Sequence, residues 1–147
     1  MRRWGFTFAE LLIVISIVGI LASVAIPNWF VIQHRAQRAE LAANGEGIRT
    51  AEQGYFFAHG RYLGEPRFRP DPVPSESLRS WDRNSHFESL GWSPEGLVRG
   101  SYRVTVSESG EDFLMTGICD VDGDGDFASY TATASVAPLL ITRHDTY

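Results

Sequence analysis

Residues 2–27 read Arg2-Arg3-Trp4-Gly5-Phe6-Thr7-Phe8-Ala9-Glu10-Leu11-Leu12-Ile13-Val14-Ile15-Ser16-Ile17-Val18-Gly19-Ile20-Leu21-Ala22-Ser23-Val24-Ala25-Ile26-Pro27. From Leu11 to Ile26 there is no charge. The only polar members, Ser16 and Ser23, can return their hydroxyls to carbonyls of the preceding turn. With Phe6, Phe8 and Ala9 in front, the apolar segment reaches about 20 residues, the length a helix needs to cross a bilayer. Arg2 and Arg3 ahead of it predict an N-terminus held in the cytoplasm. Glu10 is the odd member. An acid inside a membrane segment is costly, and where it occurs it marks a functional position.

Outward from this stretch, the helical signal continues. Pro27 removes one backbone hydrogen bond and predicts a bend rather than an end. Beyond it Ile32, Ala36, Ala39, Ala43, Gly47, Ala51 and Ala58 keep helical spacing, with Ile48 and Tyr55, and Arg38, Glu40, Glu46, Arg49 and Glu52 fall on other faces. That small-residue stripe is expected to meet a sheet or another backbone. Asn44, Gly45 and Gly47 are expected to weaken the middle, because each Gly costs about 1 kcal/mol against Ala, and Gly60 suits the C-cap. A helix from Phe6 to Ala58 would be roughly 80 Å long at about 1.5 Å per residue. A rod of that length suits a filament better than a globular core.

Residues 61–100 carry Pro66, Pro70, Pro72, Pro74 and Pro94, which argue against long regular elements. They also carry a local excess of arginine (Arg61, Arg67, Arg69, Arg79, Arg83), with Trp81, Phe87, Leu90 and Trp92 to pin the connection onto a head. Alternation then announces strands. Tyr102, Val104 and Val106 alternate with Arg103 and Thr105; Phe113–Cys119 reads as the hairpin partner, residues 127–135 as a third strand and 139–142 as a short fourth. The expected architecture is α+β: a long N-terminal transmembrane helix packed on a small antiparallel sheet. It divides into a leader (1–5), an apolar polymerisation helix (6–27), an amphipathic continuation (28–60), a helix-to-sheet loop (61–100) and the sheet (101–147).

Between the second and third strands lies Asp120-Val121-Asp122-Gly123-Asp124-Gly125-Asp126. Four carboxylates at alternate positions repel one another unless a cation sits among them, and oxygen ligands with tight-turning glycines suit calcium. The string matches the first half of an EF-hand loop, but the place of its bidentate Glu falls on Thr131, inside an expected strand. A calcium loop that is not an EF-hand and a solvated acidic turn both remain open. The lone Cys119 permits no intrachain disulfide, and it reads as a small buried hydrophobe. The chain of 147 residues has a net charge of −5, which disfavours nucleic acid as its main ligand. His34, His59, His86 and His144 are scattered, and no catalytic constellation is visible. An enzyme is not expected.

Gly5, then Phe6-Thr7-Phe8-Ala9-Glu10, the apolar run and Pro27 resemble the signal of type IV pilins and pseudopilins. The stretches from Arg35 to Glu40 and from Ile48 to Tyr62 resemble the helix end of major type IVa pilins. The resemblance implies cleavage after Gly5 by a prepilin peptidase and methylation of the new amine on Phe6. It implies a homopolymer, or a polymer with other pilins, built on an inner-membrane assembly platform. Glu10 would neutralise the N-terminal amine of a neighbouring subunit. Pilus filaments act in adhesion, motility or DNA uptake. The implied location is the bacterial inner membrane before assembly, and the cell surface or a periplasmic pseudopilus after it. Many pilins close their C-terminal loop with a disulfide, and this chain departs from them there. Similar Asp-rich loops in pilin heads and in secretion pseudopilins imply calcium. The alternatives are a type II secretion pseudopilin, a calcium-dependent binding module at a filament tip, and a soluble exported protein released by cleavage after Ala25.

Overall fold

The computed structural model describes residues 5–71 and 77–147; Arg2, Arg3, Pro72 and Pro74, named above, lie outside them. Helix α1 runs from Phe8 to His59, unbroken through Pro27. The chain forms two compact units, residues 1–33 and 34–147.

In the first unit every large aliphatic side chain from Leu11 to Ile26 is exposed. Ser16 donates its hydroxyl to Leu12 O at 2.7 Å and Ser23 to Ile20 O at 2.7 Å, so neither presents an unpaired donor to its surroundings. This is the one segment among the described residues long and apolar enough to cross a membrane.

The second unit places the rest of α1 with a five-stranded antiparallel sheet. Its strands are β1 (Glu65–Arg69), β4 (Ser101–Val106), β5 (Phe113–Cys119), β6 (Ala128–Thr133) and β7 (Leu139–Leu140), in the order β1-β4-β5-β6-β7. A two-stranded ribbon, β2 (Arg79–Ser80) with β3 (Leu97–Val98), and the short helix α2 (His86–Ser89) fill the connection. The register pairs Tyr102 with Gly117 and Met115 with both Val104 and Ala132. These residues are buried, and the period of two along each strand puts them on one face of the sheet.

Three expectations need correction. The stretch 61–100 is not loop throughout, because Glu65–Arg69 joins the sheet beside β4. Pro66 and the irregular register hid it: a Pro tolerates only an edge strand, and this strand is an edge. The helix meets the head through Arg38, Leu41, Gly45, Ile48 and Glu52. Of the expected packing stripe, Ile48 is buried and Gly47, Ala51 and Tyr55 are half-buried, but Ile32, Ala36, Ala39, Ala43 and Ala58 are exposed. Nor does α1 melt at Asn44-Gly45-Glu46-Gly47. A Cβ on Gly45 would strike the tip of Met115, and one on Gly47 would strike the indole nitrogen of Trp92. The glycines admit those side chains, and tertiary packing outweighs their poor helix propensity.

The helix ends as its sequence suggests. Gly60, at φ 70°, donates its N–H to Phe56 O at 2.8 Å, a one-bond left-handed cap. Cys119 is buried, and burial, then the nearby Glu40, push its thiol up to about 12. That suits a packing role and not a reactive one.

Carboxylates tie the head together by accepting backbone N–H groups. Glu40 accepts from Arg99 and Gly100, at 3.0 and 3.1 Å, and from the Tyr102 hydroxyl at 3.2 Å. Glu52, fully buried, accepts from Leu63 and Gly64 at 3.0 Å each, closing the chain back on the helix it has just left. Glu65 accepts from His86 at 3.0 Å. An ionised acceptor makes stronger hydrogen bonds than a neutral one.

Candidate functional site

The first candidate site is the start of α1. Thr7 is its N-cap. The Thr7 hydroxyl oxygen accepts the Glu10 N–H at 3.2 Å, and Glu10 Oε2 accepts the Thr7 N–H at 2.8 Å and the Thr7 hydroxyl at 2.7 Å. The Leu11 N–H bonds Thr7 O at 3.2 Å, which begins the helical ladder. This reciprocal pair is a capping box. The sequence signal for it, Thr-x-x-Glu ahead of an apolar run, was present in Thr7-Phe8-Ala9-Glu10. Reading Glu10 only as a misplaced acid missed it. Glu10 thus has a partner within its own chain that fixes where the carboxylate sits, while its Oε1 makes no hydrogen bond among the described residues. Gly5 and Phe6 lie just before the helix, exposed, and Pro27 lies inside it.

The second candidate is the acidic loop. Asp120, Asp122 and Asp124 each bring one carboxylate oxygen within 4.8 Å of the others. Asp126 is not part of this group, and its N–H donates to Asp124 Oδ1 at 2.8 Å. Asp120 is buried and organises the turn, accepting the N–H groups of Gly123 at 2.7 Å and Gly125 at 3.2 Å. Both glycines have positive φ, so the backbone can wrap around Asp120 where a side chain would be strained. Asp122 Oδ1 is buried and unpartnered. Burial, then the neighbouring Asp124, raise the Asp122 carboxyl above the ordinary carboxylate range. An oxygen-only donor set with one orphaned oxygen fits a hard cation.

The loop is anchored to the segment after β7. The Val121 N–H bonds Tyr147 O at 3.0 Å. Arg38, almost wholly buried on α1, donates to the carbonyls of Thr146 and, at 3.3 Å, His144, and its guanidinium lies 5.3 Å from the Tyr147 ring centroid. The His34 ring sits 5.4 Å from the same ring. Nothing in the periodicity singled out Arg38 for this clamp.

Taken together, a long apolar N-terminal helix and an antiparallel sheet define an α+β, pilin-like fold. The prokaryotic N-terminal methylation motif matches residues 2–26. The chain is 43% identical over 106 residues to the type IV major pilin protein PilA of Myxococcus xanthus, covering 72% of this chain and 39% of that protein. It is 47% identical over 60 residues to the fimbrial protein of Neisseria meningitidis serogroup B, covering 41% of this chain and 35% of that protein. It is 28% identical over 134 residues to the type II secretion system core protein G of Klebsiella michiganensis, covering 86% of this chain and 92% of that protein. The chain therefore spans between a third and two fifths of the length of these two relatives. No solved structure matches it significantly. The chain carries the prepilin motif and has type IV major pilins and a type II secretion protein among its homologues, and none of these relatives bears an enzyme's name.

Proposed function

We propose that this chain is a structural subunit of a type IV pilus, cleaved after Gly5, methylated on Phe6 and polymerised through its apolar helix. The observation that carries the reading is the uncovered face of α1. From Leu11 to Ile26 its large aliphatic side chains are exposed, and they directly follow a capped acid. Each large apolar side chain gains about 1.5–3 kcal/mol on leaving water, so the segment needs lipid first and neighbouring helices afterwards. Glu10 gives that otherwise slippery contact a register: in an apolar bundle a carboxylate is stable only beside a cation, and the new amine of a neighbour's Phe6 supplies one. The peptidase and the inner-membrane platform are the partners this route requires. We expect Glu10→Ala to leave membrane insertion and cleavage largely intact while filament yield drops sharply, read by shearing and electron microscopy. Normal filaments from that variant would sink the register role.

A second reading is a secretion pseudopilin. It is favoured by the match to the type II secretion core protein, which spans nearly all of both chains, whereas the pilin matches cover less than half of their proteins. Deleting the gene in its host separates the two: loss of surface filaments supports the pilus, and loss of exported enzymes supports the pseudopilus.

The acidic loop is proposed to take calcium through Asp120, Asp122 and Asp124, with Asp126 shaping the turn. Support comes from the shared approach of three carboxylates and the orphaned Asp122 oxygen. Chelation is expected to lower the melting temperature of the wild type and to leave the Asp122→Asn, Asp124→Asn double variant unchanged. Identical wild-type melting with calcium and with chelator would rule the metal out.

A further inference from the structure

We propose that Asn28 and Trp29 bind the headgroup layer on the far face of the bilayer and fix how deep α1 sits before assembly. The inference rests on the membrane-spanning stage of the proposed route. It starts from a contrast among the polar side chains of this stretch. Ser16 and Ser23 return their hydroxyls to carbonyls of the preceding turn at 2.7 Å each. A residue paired in this way can stand in hydrocarbon, where an unpaired polar group is costly. Asn28 is exposed, and its side-chain amide makes no hydrogen bond among the described residues. An amide with two donors and an acceptor and no partner in its own chain needs water or headgroups. The spanning segment therefore ends at Asn28.

The spacing agrees. At about 1.5 Å per residue, the rise along α1 from Glu10 to Asn28 is about 27 Å, close to a hydrocarbon thickness of about 30 Å. The two polar landmarks thus reach opposite faces together. Val31 and Ile32 are still apolar, and Gln33, His34 and Arg35 follow. With the boundary at Gln33 instead, Asn28 would lie about 7 Å inside the hydrocarbon with its amide unpaired.

Trp29 stands at this boundary, 67% exposed, and its indole N–H has no hydrogen-bond partner among the described residues. An indole joins a large apolar body to a single donor, which in a membrane finds its partner at headgroup level. Phe30, also exposed, has no donor. Helical Cα–Cβ bonds tilt toward the N-terminus, which carries its ring back toward the acyl chains. The arrangement favours lipid over a second helix. Consecutive residues stand about 100° apart around the axis, so Asn28, Trp29 and Phe30 form a belt. A packing stripe would recur every three or four positions.

The test reconstitutes the full chain in phosphatidylcholine vesicles whose acyl chains carry bromine either near the headgroup or near the chain end. Emission of the wild type is compared with that of Trp29→Leu, so that the difference isolates Trp29 from the other tryptophans. The expected result is that shallow bromines quench Trp29 about twofold or more better than deep ones. Asn28→Leu removes the polar stop and is expected to lower that ratio; an unchanged ratio overturns the role of Asn28. Both positions lie in the first unit, so the melting of the head is expected to be unaffected. Stronger quenching by the deep bromines overturns the proposal. So does no quenching by either in vesicles that carry the chain on flotation, a result that reassigns Trp29 to a neighbouring copy. A chain that does not float with the vesicles overturns the spanning reading, and this inference with it.

Discussion

From Leu11 to Ile26 the large aliphatic side chains of α1 are exposed; from Arg38 onward the same helix buries ionisable groups and gives each a backbone partner. The contrast teaches where each region finds its stability. The first has a hydrogen-bonded backbone and a cap but no covering for its surface, so its stable state is defined by lipid or by other helices. The second needs no outside partner for Glu40, Glu52 or Glu65, because amides of the chain itself bond them, while Arg38 reaches two carbonyls through Nη1 and keeps a buried Nε without a hydrogen bond. Burying an acid or a base in this way is stable only while its partners stay in place.

The largest effect that could break the contrast comes from placing a charge where none is tolerated. Val18→Asp is expected to abolish membrane retention and filament formation, since an acid at the centre of such a helix costs about 2.5–3.5 kcal/mol, while chemical denaturation of the head stays unchanged. A weakened head would show that the two regions are not energetically separate. Next in size is the arginine clamp. Arg38→Ala removes donors to two carbonyls and should destabilise the head by about 2–4 kcal/mol. Hydrogen exchange should then rise first in residues 143–147 and in the acidic loop at Val121. Uniform exchange throughout the head would contradict a local clamp.

A smaller effect separates the two buried-side glycines. At Gly47 a methyl group meets the rigid Trp92 ring, so Gly47→Ala should destabilise by about 1–2 kcal/mol. At Gly45 it meets the mobile tip of Met115, and the helix-propensity gain of about 1 kcal/mol should leave Gly45→Ala close to neutral. Equal losses at both would mean that the helix is not seated as described. The smallest effect is a pH slope. Burial, partly offset by the N–H groups of Leu63 and Gly64, raises the Glu52 carboxyl above the ordinary carboxylate range. The folded chain therefore takes up this proton before the unfolded chain does. The contribution of Glu52 to stability improves as the pH falls through that window and is poorest at neutral pH and above. Against Glu52→Gln, wild-type stability should gain as the pH falls from neutral toward the ordinary carboxylate range; a loss over that interval would reverse the assignment.

Much of the fold was legible because periodicity reports burial. The apolar run, the Gly60 cap and the strands β4 to β6 follow directly from their patterns. Periodicity failed where burial is polar. Arg38 and Glu52 looked like solvent-facing residues, so the alanine stripe was taken for the packing face, and the partners that make their burial tolerable lie up to 108 positions away in the sequence. Strand β1 was obscured by Pro66 and by its charged residues, which protect an edge but erase alternation. At the candidate sites, local spacing identified Glu10 and the three clustered aspartates. Only coordinates revealed that Asp126 stands apart from that cluster and that Asp122 keeps an orphaned oxygen. The capping box was within reach of the sequence and was obscured by attention to the cost of the acid.

The central claim is that the apolar half of α1 is the mature N-terminal polymerisation element of a filament subunit. The most direct test is the intact mass and first residue of the protein recovered from its host's envelope. The account predicts a chain beginning at Phe6 with a methylated amine. A chain beginning at Ile26 would remove the helix from the mature protein and contradict it.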